Sequence, residues 1–185
     1  MRIVILFLFL LLWQQSFAQQ PNSVHFWKQL QSLCGKAFAG EVSDTAGNGA
    51  FVNKLLVMHV HSCNDSTIRI PFFVGDDRSR TWVLTLSNDR ILLKHDHRHK
   101  DGNPDSITMY GGLSTNSGLA EIQFFPADQQ TVDMLPEAAG NIWWMTLNKK
   151  HFSYNLRRVN TARVFTVRFA LSIPVSVPGD PWGAE

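Results

Sequence analysis

Five short turn signals, set among alternating apolar residues, constrain this chain more than any other feature. In a tight hairpin, directly opposed residues keep a constant sum of residue numbers and point to the same face. With Asn88-Asp89 as the turn, Leu86 opposes Ile91, Leu84 opposes Leu93 and Trp82 opposes His95, while Thr85, Ser87, Arg90, Lys94 and Asp96 fall on the other face. With Lys149-Lys150 as the turn, Leu147 opposes Phe152, Met145 opposes Tyr154 and Trp143 opposes Leu156. With Asn160-Thr161, Leu156 opposes Phe165, Tyr154 opposes Val167 and Phe152 opposes Phe169. One set of inward residues satisfies both of the last two hairpins, so three strands share a continuous apolar face. An Asn64-Asp65 turn would set Leu55, Val57, His59 and His61 opposite Val74, Phe72, Ile70 and Ile68. The Asn48-Gly49 pair, a strong hairpin signal, would set Cys34 opposite Cys63.

Short runs rich in Val, Ile, Phe, Trp and Thr, separated by turn residues, predict strands near 37–43, 54–63, 66–74, 80–87, 90–99, 106–112, 120–126, 141–148, 151–158 and 162–173. Ahead of them, Ser23 is placed to cap a helix over Val24–Leu33, with Val24, Trp27, Leu30 and Leu33 on one side and Gly35 as its stop. A short helical insertion is expected near 130–139, where Pro136 can start a turn and Gly140 can end it. Gly111-Gly112 reads as a β-bulge. About ten hairpin-linked strands would leave exposed edges as a flat sheet. The expected fold is therefore all-β: an antiparallel up-and-down barrel of about 8–10 strands with an N-terminal helix and one short helical insertion.

The segment before the helix reads as an address. Arg2 precedes an apolar run from Ile3 to Trp13, and Ser16-Phe17-Ala18 supplies small residues for cleavage after Ala18. That run is far shorter than the roughly 20 residues a bilayer span needs. The expected organisation is a signal peptide over 1–18, one barrel domain over 19–173 and a Pro/Gly-rich, loose tail over 174–185. Export to a periplasmic or extracellular space follows, with no membrane span in the mature chain. An oxidising compartment favours a Cys34–Cys63 disulfide, closing a loop of about 30 residues for roughly 3 kcal/mol. Net charge is +2 in total, which removes the clustered basic excess that nucleic-acid binding requires.

The helix running into Leu33-Cys34-Gly35-Lys36-Ala37-Phe38-Ala39-Gly40, followed by a meander of strands, resembles the lipocalin-like (calycin-type) barrels. Those families often carry Gly-x-Trp on the first strand; here Phe38 stands three residues after Gly35. The stretches Asp77-Arg78-Ser79-Arg80-Thr81-Trp82 and Leu93-Lys94-His95-Asp96-His97-Arg98-His99 are similar to an exported bacterial family of no assigned activity. The second resemblance implies secretion and a shared fold but no chemistry; an exported barrel with an aromatic and aliphatic interior would itself take a small apolar ligand. Trp82, Trp143 and Tyr154 would line that interior, with Arg80, His95, His59 or Tyr154 fixing a polar end.

Histidine is the one enriched reactive type. His59 and His61 lie on one predicted strand and His95, His97 and His99 on another, all with inward parity. His-x-His on a strand sets two imidazoles about 6.7 Å apart on one face, a spacing that suits a transition metal if the two strands meet across the lumen. A metal site on these five histidines is the second expectation, with haem as a variant that lacks an evident axial ligand. A structural envelope protein with a filled core is the third. Ser79 and Ser87 lack a nucleophile context, and no acidic pair suits acid–base work, so catalysis is not indicated. Trp144 points outward, as a surface contact would.

Overall fold

The computed structural model describes residues 19–43 and 49–184. The signal-peptide reading and Asn48 lie outside the described residues. The chain forms an antiparallel, nearly closed barrel. In order come α1 (Asn22–Gln31), β1 (Ala37–Val42), β2 (Leu56–His59), β3 (Ser62–Cys63), β4 (Thr67–Val74), β5 (Asp77–Ser87) and β6 (Arg90–His97). Then follow β7 (Tyr110–Leu113), β8 (Ile122–Pro126), α2 (Gln129–Met134), a 3-10 turn (Pro136–Ala138), β9 (Asn141–Leu147), β10 (His151–Arg158) and β11 (Val164–Ala170). The sheet runs β7-β6-β5-β4-β2-β1-β11-β10-β9-β8, so β1 joins the two halves and the seam falls between β7 and β8.

Three predicted hairpins hold residue by residue. Trp82 pairs with His95, Leu84 with Leu93 and Leu86 with Ile91. Asn88 and Asp89 both adopt positive φ, as a two-residue turn matching strand twist requires. Leu156 pairs with Trp143 on one side and Phe165 on the other. The inward residues of these strands form one cluster with Leu56, Met58, Ile68, Ile70 and Phe72.

Two registers differ from expectation. Cys63 opposes Ile68 and Asn64 N–H donates to Thr67 O, so the turn residues are Asp65-Ser66 rather than Asn64-Asp65. The Asn64 side chain causes the slip: its Oδ1 accepts from Ser66 N (3.0 Å) and Thr67 N (2.7 Å), an Asx turn that begins at Asn64. Between β3 and β2 the ladder then shifts by one residue, since Met58 opposes Phe72. That shift turns Leu56, Met58 and Val60 into the core and turns Val57 outward with Ala37 and Phe73; Leu55, expected inside, is 66% exposed. The first hairpin slips by one as well, with Ala37 rather than Phe38 opposite His59.

The disulfide nevertheless forms. Cys34 and Cys63 are bonded, with Cα atoms 6.2 Å apart. Cys34 lies in the turn after α1, before β1 begins, so the bridge ties the helix end to β3 rather than crossing a hairpin.

The helix closes one end of the barrel. Phe26, Trp27 and Leu30 are buried in the main core. Ser23 is not the cap: Pro21 holds that position, and Ser23 lies buried within the helix, its hydroxyl donating to Asp89 O in the β5–β6 turn (2.7 Å). Asn22 and Gln29 donate to Gly118 O and Ala120 O in the loop before β8.

The seam is bridged without a ladder. Asp128 N donates to Gly111 O, and the buried Thr131 hydroxyl of α2 both accepts from Gly111 N (2.7 Å) and donates to Gly111 O (2.8 Å). Lys94 reaches Asp128, the α2 cap, at 2.7 Å. Gly111 and Gly112 are not a bulge; they keep regular register with Lys94 and Leu93. Their role is close approach, because a Cβ on Gly112 would overlap the Pro126 carbonyl oxygen. The tail packs back rather than hanging loose: Val175 N donates to Ala37 O (2.8 Å) and Trp182 N to Arg78 O (3.1 Å).

Removing the bridge as Cys34→Ser/Cys63→Ser is expected to lower unfolding free energy by about 3–4 kcal/mol, from the loop it closes. Urea denaturation at neutral pH measures this; a loss under about 1 kcal/mol would show that the helix is held by packing alone.

Candidate functional site

The interior divides at Trp82. Its indole stacks on Phe72 of β4 (4.9 Å between centroids) and on Tyr154 of β10 (4.4 Å), and it meets Phe152 and Phe169 on the side towards α1. Below Trp82 the lumen is filled with side chains. Above it a cup of about 170 Å³ opens at the end opposite α1. Trp82, Trp143 and Tyr154 contribute to the floor, and Phe72, Phe165 and Tyr110 to the walls. Phe51, from the segment between β1 and β2, leans over the opening, 4.8 Å from Phe165 and beneath the Arg80 guanidinium at 5.9 Å.

The cup is polar where strands end. Side chains alternate along a strand, so each inward apolar row leads to an inward residue at the mouth. That residue is Arg80 beyond Trp82, His97 beyond His95, Asn141 beyond Trp143, Arg158 beyond Leu156 and Arg163 beyond Phe165, and all five line the cup. Arg80 is paired with Asp77. Arg158 Nε donates to Asn141 Oδ1 at 2.9 Å.

His95 is fixed in one tautomer by its partners. Its Nδ1 lies 2.9 Å from the Tyr110 carbonyl oxygen, which only accepts, so Nδ1 carries the proton. Nε2 therefore accepts from the Tyr154 hydroxyl at 2.7 Å. Burial pushes the His95 pKa down to about 3, against the opposing pull of the Tyr110 carbonyl. Burial raises Tyr154 well above the usual phenol value and Tyr110 to about 12. Burial, with the Arg80 charge, also lowers His97, whose Nε2 lies 3.1 Å from the Tyr110 hydroxyl. Near neutral pH His95, Tyr110 and Tyr154 are all uncharged, and the cup offers aromatic faces, neutral hydrogen-bonding groups and an arginine rim.

Of the residues expected to meet a ligand, Trp82, Trp143, Tyr154, His95 and Arg80 converge on this cup; His59 does not. The slip at His61 puts His59 and His61 on the outside of the barrel, edge to face at 5.1 Å. There His59 opposes Ala37, is buried, and leaves Nδ1 without a hydrogen-bond partner among the described residues. Burial, then the neighbouring His61, lowers its pKa. His99 is exposed beyond the end of β6. The five histidines therefore do not meet across the lumen, and no group of three or more His, Cys, Asp or Glu could hold a metal among the described residues. Arg158, Arg163, Tyr110 and Phe51 were not anticipated. Arg158 and Arg163 were reachable, since the Asn160-Thr161 register carried one step further sets them opposite each other at the mouth.

The resulting architecture is compatible with a calycin-like barrel. No family model matches the chain, and no curated protein and no solved structure is similar enough to match it either.

The depressed histidines set an acid limit. In the unfolded chain His95 takes up a proton below about pH 6.5, whereas the folded protein resists until about 3. Its contribution to stability is complete above pH 6.5 and is lost as pH falls; at pH 5 about 2 kcal/mol is gone. His59 and His97 act in the same direction. Asp96 adds to the loss only below about pH 4: burial would raise it, but hydrogen bonds from Arg98 and Arg69 outweigh that and hold it low. Urea midpoints between pH 7 and 4.5 should fall steadily, and His95→Gln should flatten the slope. An unchanged slope in that variant would place His95 in water.

Proposed function

We propose that this is an exported binding protein for a small, largely aromatic molecule, held in the cup above Trp82. The observation that carries the reading is the cup itself: about 170 Å³ of space floored by Trp82, Tyr154 and Trp143 and open at one end. An engineered apolar cavity of about 150 Å³ takes benzene, so the size suits one ring with a short substituent. It lies below the roughly 300–1,000 Å³ of drug-sized pockets. A long acyl chain has no channel to enter, because Phe152 and Phe169 fill the lumen beneath Trp82.

The polar complement suits such a ligand. His95 and Tyr154 satisfy each other, so an apolar ring on the floor strands no buried donor. A signal peptide over 1–18, a binding barrel over 19–173 and the strapped tail over 174–185 complete the proposed organisation. The Cys34–Cys63 bridge suits the oxidising space outside the cytoplasm. Among the described residues no helix is long and apolar enough to cross a membrane.

Calorimetric titration with cinnamamide, a neutral one-ring probe, should show one saturable site with Kd between about 10 µM and 1 mM. Tryptophan emission should change in step. Leu156→Trp, which places an indole in the cup, should abolish both signals. Absence of saturable binding, or binding indifferent to Leu156→Trp, would overturn the reading.

A further inference from the structure

Five strand ends contribute inward residues to the mouth, and the charge they present is one-sided. Arg80, Arg158 and Arg163 are basic, Asn141 and His97 are not acidic, and among the described residues no Asp or Glu lines the cup. Of the carboxylates near the mouth, Asp77 is already taken by Arg80, while Asp105 and Asp96 act on His97 from outside the lining. Arg158 and Arg163 are cross-strand neighbours at the last step of the β10–β11 hairpin, where Arg158 N donates to Arg163 O at 3.1 Å. Like charges directly opposed on one face of a sheet repel. The pair is only partly relieved: Arg158 reaches Asn141 through Nε, a neutral partner, and the Arg163 guanidinium makes no hydrogen bond or ion pair among the described residues.

We propose that the Arg158–Arg163 pair reads a carboxylate on the ligand, so that the molecule taken up is an aryl carboxylate with its ring on the Trp82–Tyr154 floor. The inference rests on the small-ligand reading above and narrows it to a charge class. The chemistry is complementary at both ends. The floor is aromatic and its hydrogen bonds are internally closed, so it recognises a ring by stacking and exclusion of water. The rim supplies guanidinium forks, which match the planar oxygens of a carboxylate better than a point charge would. A bound carboxylate also removes the repulsion between the two arginines. A neutral ring would fill the floor and leave that repulsion in place.

The test compares cinnamate with cinnamamide, equal in size and shape and different in charge, by calorimetry on the purified protein. Cinnamate should bind at least tenfold more tightly. The acid-to-amide ratio should fall towards one in Arg163→Gln, and also as salt rises from about 20 mM to about 500 mM, because the rim is partly in water. Arg157→Gln removes an equal charge from the exposed, outward neighbour and should keep the ratio. Equal affinities for acid and amide overturn the anion inference and leave the small-ligand reading standing. Equal loss in Arg157→Gln and Arg163→Gln also overturns it, since net charge would then be the cause. Binding of neither probe overturns both.

Discussion

Trp82 is where this barrel is decided. A sheet that curls on itself encloses a tube that side chains must fill, or the fold leaves a void with no partner atoms on one side. Strand β5 is separated from β10 by four strands in the sheet order, yet the Trp82 and Tyr154 rings stack at 4.4 Å. That contact spans the lumen. It ties the two halves of the meander together and lets Phe152 and Phe169 pack beneath it. Cutting Trp82 to Ala would remove one of the largest buried side chains, a change of the class that costs about 3–5 kcal/mol in cores.

The same ring separates two jobs. Beneath it, the core is apolar and plugged by Phe26, Trp27 and Leu30 of α1, with the disulfide holding the helix end to β3. Above it, the packing is deliberately incomplete, and the inward rows pass from aromatic to polar. Burying His95 as a neutral imidazole between the Tyr110 carbonyl and the Tyr154 hydroxyl makes that transition without stranding a charge. Of the rim arginines, Arg80 and Arg158 are half-buried and Arg163 is exposed, so each guanidinium keeps water and can still meet an entering anion.

Much of this was readable because two-residue turns convert sequence into geometry. Where Asn88-Asp89, Lys149-Lys150 and Asn160-Thr161 set the turn, the opposed pairs followed one by one, and Trp82, His95, Trp143 and Tyr154 arrived together in the site. Turn residues mislead where a side chain takes part in the turn. Asn64 captured two backbone N–H groups, shifted the turn by one, and the extra residue at His61 then reversed every face upstream. Both faces of β2 are apolar, so its hydrophobic pattern held no signal to detect the reversal. His59 and His61 went outside for that reason alone. The Cys34–Cys63 pairing came out right although the register behind it was off by one, because the cysteine count and the redox argument hold whatever the register. Phe51 and the Gly112 close approach depend on long-range packing that no local pattern encodes. The arginine rim follows from the same strand parity, one step past the last apolar residue of each row.

The central claim is that an enclosed aromatic floor lies beneath an open mouth on the far side from α1. Crystals soaked with 4-iodobenzoate test it directly, because iodine can be located by its anomalous signal. The account predicts one peak within the cup, bordered by Trp82, Tyr154 and Phe165, with the carboxylate turned towards Arg158 and Arg163. Iodine found only on the outer faces of the sheet, with Trp82 and its neighbours filling the whole lumen, would contradict it.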